Sequence, residues 1–578
     1  MNYFTKIKKI TKDKGIYILL IILIALFLSA PLYTRGFYWS HDGVYHISRN
    51  YATNSEIISK QLPPLIEPNF CKGFGYAWNI FYPPLETYIS SIFSIFTSLL
   101  NAIKLTIMLS IIAAGITMFA LMKKITKNHT MSFLTAIIYM SAPYFLSDIY
   151  VRMAMGEVIA YIFFPLLFYG LYDIFYDTGK QSYFITIGAL GIILSHNIST
   201  LMAVIISSIF VLINIKKLFT ENSLNLWKKL IINGFFIILI SLGFYIPFLE
   251  HKFSTEYAIF SQAFSVEKFS ELAIYPSQLF FSVPKAEWAY SLSSNMINES
   301  MSFELGLPII IALLFTPIVL PKIKKENKIL YITTLCTGIF FAIMATSIFP
   351  WKYIPIVPTV IQFSWRFLIV STLTLSIISG INIYHCMYDM KSNNIYILIL
   401  IILIYSGTYI SNSVKYDVAF DTSYLNNNIE LVNNQCAAYE YLPLKANSNL
   451  EYIRQRSNGV VITSGIATIE NEQKDESNMT FTIKESSENT TLELPYIYYL
   501  GYTIKINDSK IDYTESDNGF IQITIQAYDS ASVEVTYTGT LIEKISFAIS
   551  IISSICFIVY IIYNEKIKNI NSNKYLQD

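Results

Sequence analysis

The chain has 578 residues, 53% of them hydrophobic and only 14% charged, and its formal net charge is +1. So little charge cannot cover a soluble protein of this length, and long uncharged apolar runs point to a bilayer. A near-zero balance excludes bulk attraction to nucleic acid, so the informative quantity is where the charges sit.

Lys6, Lys8, Lys9, Lys12 and Lys14 precede an apolar run from Ile16 to Tyr33. Its small-residue site Ser29-Ala30 is followed by Pro31, which disfavours signal cleavage, so the run reads as an uncleaved first span. Further apolar runs lie at 103–122, 130–147, 157–176, 181–196, 198–215, 230–249, 303–320, 329–349, 365–384, 394–411 and 542–563. Each approaches the length of a membrane crossing, which makes an all-α polytopic membrane protein of about 12 transmembrane helices.

The segment Phe81–Leu100 is ambiguous, because it opens on Pro83-Pro84 and holds Glu86 and several serines. If it lies along the outer surface, Lys123, Lys124, Lys127, Lys216, Lys217, Lys228 and Lys229 all fall inside. So do Lys322, Lys324, Lys325, Lys328, Lys391, Lys566, Lys568 and Lys574. Counting the segment as a span reverses every one of these loops. The positive-inside bias therefore makes it a juxtamembrane helix of a plasma-membrane protein with both termini cytoplasmic.

The expected organisation is a transmembrane domain over 1–411 with external loops 35–102 and 250–302, then an external domain over 412–541. A final span and cytoplasmic tail occupy 542–578. Within 412–541, Gly459–Glu470, Met479–Lys484, Tyr502–Asn507, Phe520–Ala527 and Ser532–Thr538 alternate apolar and polar residues, with turn-like Asn507-Asp508-Ser509 between two of them. That pattern predicts an extracytoplasmic antiparallel β-sandwich. Cys71 and Cys436 both fall in external polar segments, where a disulfide and two unpaired thiols remain equally open. The chain holds no P-loop, dinucleotide fingerprint, zinc-helix motif or short-period repeat.

There are six arginines: Arg35, Arg49, Arg152, Arg366, Arg454 and Arg456. All fall outside or at the outer membrane edge, against the usual bias of positive charge. In a chain that otherwise uses lysine, this placement points to planar anion recognition, with phosphate the obvious anion. Arg454 and Arg456 read as plain surface residues, whereas Arg152 and Arg366 sit where apolar spans begin. The densest polar cluster, Ser40-His41-Asp42-Gly43-Val44-Tyr45-His46, follows the first span, and its Asp42, His41 and His46 have the chemistry of a general base or of metal ligands. Glu157, His196 and Glu304 recur at the same edge, where ionisable groups are costly. His129, His385 and Asp177 lie at cytoplasmic edges and read as structural.

These motifs carry a resemblance. His41-Asp42-Gly43-Val44-Tyr45-His46, Gly73-Phe74-Gly75-Tyr76, Phe81-Tyr82-Pro83-Pro84-Leu85 and Met155-Gly156-Glu157 resemble a bacterial family of multispanning proteins labelled 6-pyruvoyl-tetrahydropterin synthase-related. So do Ser195-His196, Gln362-Phe363-Ser364-Trp365-Arg366-Phe367, Glu440-Tyr441-Leu442-Pro443 and Leu494-Pro495 with Gly501-Tyr502. The layout also resembles the GT-C glycosyltransferases, whose first external loop carries an acidic residue and whose second large loop follows the seventh span. This chain departs from many of them in having a single Asp42 flanked by histidines rather than paired acids.

The resemblance implies transfer of a sugar from a polyprenyl-phosphate-linked donor in the membrane lipid to a cell-surface glycan or polymer. Asp42 would act as base. Arg366, with Arg152, would hold the leaving phosphate, while Glu157, His196 and Glu304 line the substrate site. His41, Asp42 and His46 could hold a divalent Mg or Mn ion. The rival readings are a lipid-carrier flippase or transporter, with charges near mid-span and broken helices in both halves, and a non-catalytic scaffold for envelope assembly.

Overall fold

A computed structural model of the chain describes residues 14–34, 36–58, 61–220, 223–261, 265–280, 303–387, 393–414 and 439–574. Arg35, Cys436 and residues 281–302 of the second expected loop lie outside them. The apolar runs fold as helices because a backbone in hydrocarbon must satisfy its own polar groups. Their ends are set locally. Asn128 caps His129–Met140 by accepting the Met131 N–H at 2.9 Å, and Lys127, at φ 57°, closes the preceding helix Leu99–Thr126.

Helix length alone accounts for only part of the dozen spans expected. Among the described residues, six helices are long and apolar enough to cross a membrane: Leu99–Thr126, Met155–Tyr176, Ser223–Lys252, Lys325–Met344, Ser364–Cys386 and Leu541–Glu565. A seventh forms if His129–Met140 and Pro143–Arg152, bent by 41°, count as one span. Phe184–Ile193 and Asn197–Ile213 are apolar but shorter, Lys14–Leu28 begins where the described residues do, the helix Asn393–Ser413 has 21 residues, and the run 303–320 breaks into Leu307–Leu314 and Thr316–Val319 around Pro317. Apolar length in the sequence overstates helical length wherever proline or a tight turn interrupts it. Leu85–Ser94, within the ambiguous segment, is a ten-residue helix, about 15 Å long and half of a crossing.

The helices run between two unlike ends. At one end Lys124 pairs with Asp173 at 2.6 Å and Asp177 at 2.8 Å, and His129 packs its ring against Tyr17 and Phe119. From there Met155–Tyr176 covers about 33 Å to the opposite end, where the first loop and the tail domain pack.

The tail domain is two antiparallel sheets face to face. One has the order β1 (Val461–Ser464), β4 (Thr490–Ile497), β8 (Phe520–Ile525), β7 (Thr514–Glu515). The other runs β2 (Thr468–Asp475), β3 (Asn478–Ser486), β9 (Tyr528–Tyr537), β5 (Tyr502–Ile506), β6 (Ser509–Ile511). Met479, Phe481 and Ile483 on β3 and Ala531, Val533 and Val535 on β9 point inward, as period-two alternation requires. Asn507 and Asp508 both take positive φ in the turn joining β5 to β6. Gly459–Glu470 is not one strand: Gly465, at φ +83°, breaks it into β1 and β2, which belong to different sheets.

The sandwich sits on the first loop. Phe74 packs against Phe520, Phe81 stacks on Tyr441, the Ile497 N–H donates to the Phe74 carbonyl at 2.8 Å, and Lys474 Nζ donates to the carbonyls of Gly73 and Pro495.

Candidate active site

Three segments converge at the loop-side end of the bundle. Asp148–Arg152 is a single π-turn at the end of the bent helix pair, and Met153 leaves it at φ 56°. Gln362, at φ 66°, precedes the short turn Ser364–Phe367 that carries Arg366. Left-handed backbone at residues other than glycine costs about 1–3 kcal/mol and gathers at functional sites. Here it aims two arginines at one carboxylate.

That carboxylate is Glu157, in the first turn of Met155–Tyr176. Its Oε1 accepts from Arg152 Nη2 at 3.0 Å and from Arg366 Nε at 3.1 Å, while Oε2 accepts from the Tyr144 hydroxyl at 3.0 Å. Arg152 Nη1 donates to Asp148 Oδ1 at 2.6 Å. Two cations and two carboxylates therefore cancel formally in a nearly dry setting, where such groups must be paired. Arg366 Nη1 donates to the Ile361 carbonyl and to Gln362 Oε1, both at 2.8 Å. Its Nη2 has no partner among the described residues, and its side chain keeps 11% of its exposure. Arg152 braces the two carboxylates, and Arg366, the more exposed of the two arginines, keeps Nη2 uncommitted.

The first loop is pinned to the same place by backbone. The His41 N–H donates to the Val151 carbonyl at 3.0 Å and the Asp42 N–H to the Arg152 carbonyl at 2.8 Å. The half-exposed Asp42 carboxylate makes no hydrogen bond or ion pair among the described residues. Tyr82 lies within electrostatic reach of both Asp42 and Glu157, and burial keeps its phenol protonated. Gly156 lets these groups meet: a Cβ there would stand 2.6 Å from the Tyr82 hydroxyl and 2.7 Å from the Ser195 carbonyl.

His196 is in the same neighbourhood, within electrostatic reach of Glu157, Arg366, Arg152 and His46. Its ring caps Asn197–Ile213, with Nδ1 2.9 Å from Ser199 Oγ and accepting the Ser199 N–H at 3.3 Å. Glu304 is buried and accepts from the Tyr405 hydroxyl at 2.8 Å.

His41, Asp42 and His46 are not gathered into one group of ligands among the described residues. His46 turns away into a second buried cluster, with its Nδ1 3.8 Å from Glu86 Oε2 and its ring edge-on to Tyr82. Among the described residues no three His, Cys, Asp or Glu side chains are placed to hold an ion. A one-turn spacing puts side chains on one helix face, but His41 and Asp42 both precede the helix Gly43–Ile58 that carries His46.

That second cluster was not read from the sequence. Arg49 Nη2 donates to Asn79 Oδ1 at 3.0 Å and to the carbonyls of Tyr82 and Pro83, and its Nη1 stands 3.6 Å from Glu86. Asn50 Nδ2 donates to Glu86 Oε1. Arg49 thus fixes the backbone that presents Tyr82. Asp148 and Tyr144 were missed as well, and Gln362 was quoted in a motif but given no role; the flanks of all three are apolar text, and only the spatial pairing reveals them. Arg456 is a further correction. It is buried, not a surface residue: its Nε donates to buried Glu493 at 3.0 Å, and its guanidinium lies 4.6 Å over Phe520. Arg454 is exposed.

Fold and site define a multi-pass membrane protein that gathers buried ionisable groups at the end carrying a β-sandwich. No protein family model matches the chain, so the pterin-synthase-related resemblance rests on the motifs alone. An uncharacterised protein of Lactococcus lactis subsp. cremoris is 25% identical over 616 residues, covering 96% of both chains. Two crystal structures of the Archaeoglobus fulgidus oligosaccharyltransferase are similar at 10% identity, one tethered to an acceptor peptide containing the NVT sequon and one apo. Their TM-scores are 0.39 and 0.38, with 71% and 74% of this chain covered. The chain spans 56% and 58% of their length.

Proposed function

We propose that this chain is a membrane glycosyltransferase that moves a sugar from a polyprenyl-phosphate-linked donor to an acceptor of the cell envelope outside the membrane. The observation that carries the reading is that two uncommitted groups stand at the same end of the bundle, linked through Arg152 and Glu157. Arg366 offers Nη2 from a brace of three acceptors, and Asp42 offers a carboxylate fixed by its own backbone to Arg152. An anion and a nucleophile are what such a pair handles. The Asp42 carboxylate takes the proton of an acceptor hydroxyl as its oxygen attacks the anomeric carbon. The bond to the lipid phosphate breaks on the opposite side, and Arg366 Nη2 stabilises the charge that develops there. Arg152 and Glu157 hold Arg366 in place and leave it no reorganisation to make at the moment of reaction. The β-sandwich, seated on the loop that bears Asp42, is positioned to present the acceptor.

The test is transfer by purified full-length chain from a panel of polyprenyl-phosphate sugars, with Asp42→Asn and Arg366→Lys alongside. Turnover by wild type that both variants lose supports the reading. Equal turnover by all three, or none with any donor, sinks it.

A further inference from the structure

The end of the bundle opposite this site holds a second feature with a different chemistry. Met155–Tyr176 and Asn197–Ile213 face Lys325–Met344 and Leu368–Met387 across a cavity of about 500 Å³, a size at which small molecules are bound. Its walls are mostly apolar, with Phe168, Phe210, Leu330, Leu373, Ile377 and Ile381, and are interrupted by hydroxyls such as those of Thr334 and Thr374. From His385 at the mouth to Leu373, the wall runs about 18 Å along the helix. A groove this deep, parallel to spanning helices, suits a hydrocarbon chain better than a water-borne metabolite.

The mouth is basic. Lys127, Lys322, Lys324 and His385 line it. Lys322 and Lys324 are exposed and make no ion pair among the described residues. Of the nearby carboxylates, Asp177 lies 3.7 Å from Lys127 and is held closer, at 2.8 Å, by Lys124, and Glu326 lies within electrostatic reach of Tyr172. Positive charge is left in excess at headgroup depth, where basic pockets between helices meet anionic lipid.

We infer that this groove binds an anionic phospholipid from the lysine-side leaflet, its phosphate at Lys322 and Lys324 and one acyl chain between the apolar walls. The bound lipid ties Lys325–Met344 and Leu368–Met387 to the helices bearing Glu157 and His196, and so links the bilayer's headgroup composition to the bundle that carries the candidate site.

The experiment is native mass spectrometry of the full chain in detergent with phosphatidylglycerol or phosphatidylcholine added, beside thermal melting. Wild type should retain one phosphatidylglycerol and far less phosphatidylcholine. K322Q/K324Q should weaken retention by about 30-fold, the effect of removing two ammonium groups at a lipid surface. Thr334→Phe, which fills the groove and leaves the lysines, should abolish it. Lys216→Gln, on another turn of the lysine-rich end, should retain it. Wild-type retention by K322Q/K324Q or by Thr334→Phe overturns the inference, as does equal retention of phosphatidylcholine. If Thr334→Phe melts early, the exposed lysine pair decides alone.

Discussion

Glu157 takes hydrogen bonds from both arginines on one oxygen, so removing its charge leaves two buried cations with Asp148 as their one carboxylate. Glu157→Gln is expected to cost about 3–5 kcal/mol, read as a large drop in melting temperature and yield. Arg366→Lys keeps one charge but cannot reach Glu157, Gln362 and the Ile361 carbonyl together. It should lose most turnover while yield stays near normal; unchanged turnover would make Arg366 only an anchor. Asp42 differs again. Its carboxylate holds nothing in place, so Asp42→Asn should leave the melting temperature unmoved and lower transfer by about 10²–10⁴-fold. A fall in stability with full transfer would reverse that assignment. At this scale Arg152, Glu157 and Arg366 were legible because charge at a span's edge stands out against apolar text. Asp148 and Arg49 were not, since nothing in linear spacing tells a buried ion pair from a loop charge.

Strand β4 shows what decides an element. Thr490–Ile497 contains Pro495 and does not alternate, which argues against a strand in the sequence. Yet it is the second strand of its sheet, buried almost throughout, with one face on the sandwich core and its end on Phe74. A strand covered on both faces has no reason to alternate. Lys474, on β2, joins the same junction. Burial, aided by Arg456, lowers its ammonium to about 7 from the ordinary lysine value of 10.5. Between those pH values the unfolded chain holds the proton and the folded one does not, so stability should rise with pH across that window and level off below about 7. Melting curves at pH 6.5 and 9 should show the rise, and Lys474→Met should flatten it. An unchanged slope in the variant would assign the effect elsewhere.

For the whole molecule, the expected orientation rests on the lysines. Topology was read from their bias alone, and the ten-residue helix Leu85–Ser94 is too short to overturn it. Cysteines introduced at Lys123, Lys217 and Lys324 should resist an impermeant thiol reagent in intact cells, and one at Ser509 should react. Labelling at Lys123 with protection at Lys324 would mean that 81–100 crosses after all. What apolar length could not convey was which runs break, since Pro317 and the bend before Pro143 act through backbone geometry.

The seating of the sandwich on the first loop also sets a schedule for synthesis. The Tyr441 N–H donates to Tyr76 across 365 positions of chain, and Lys474 meets Gly73 across 401. At roughly 5–20 residues per second, Phe74, Tyr76 and Phe81 stay uncovered for on the order of 20–80 s after they emerge. The end of the protein that bears Asp42 is therefore assembled last. A ribosome stalled before β4 leaves behind a bundle whose helices are in place and whose aromatic platform is open to proteases and folding factors outside the membrane.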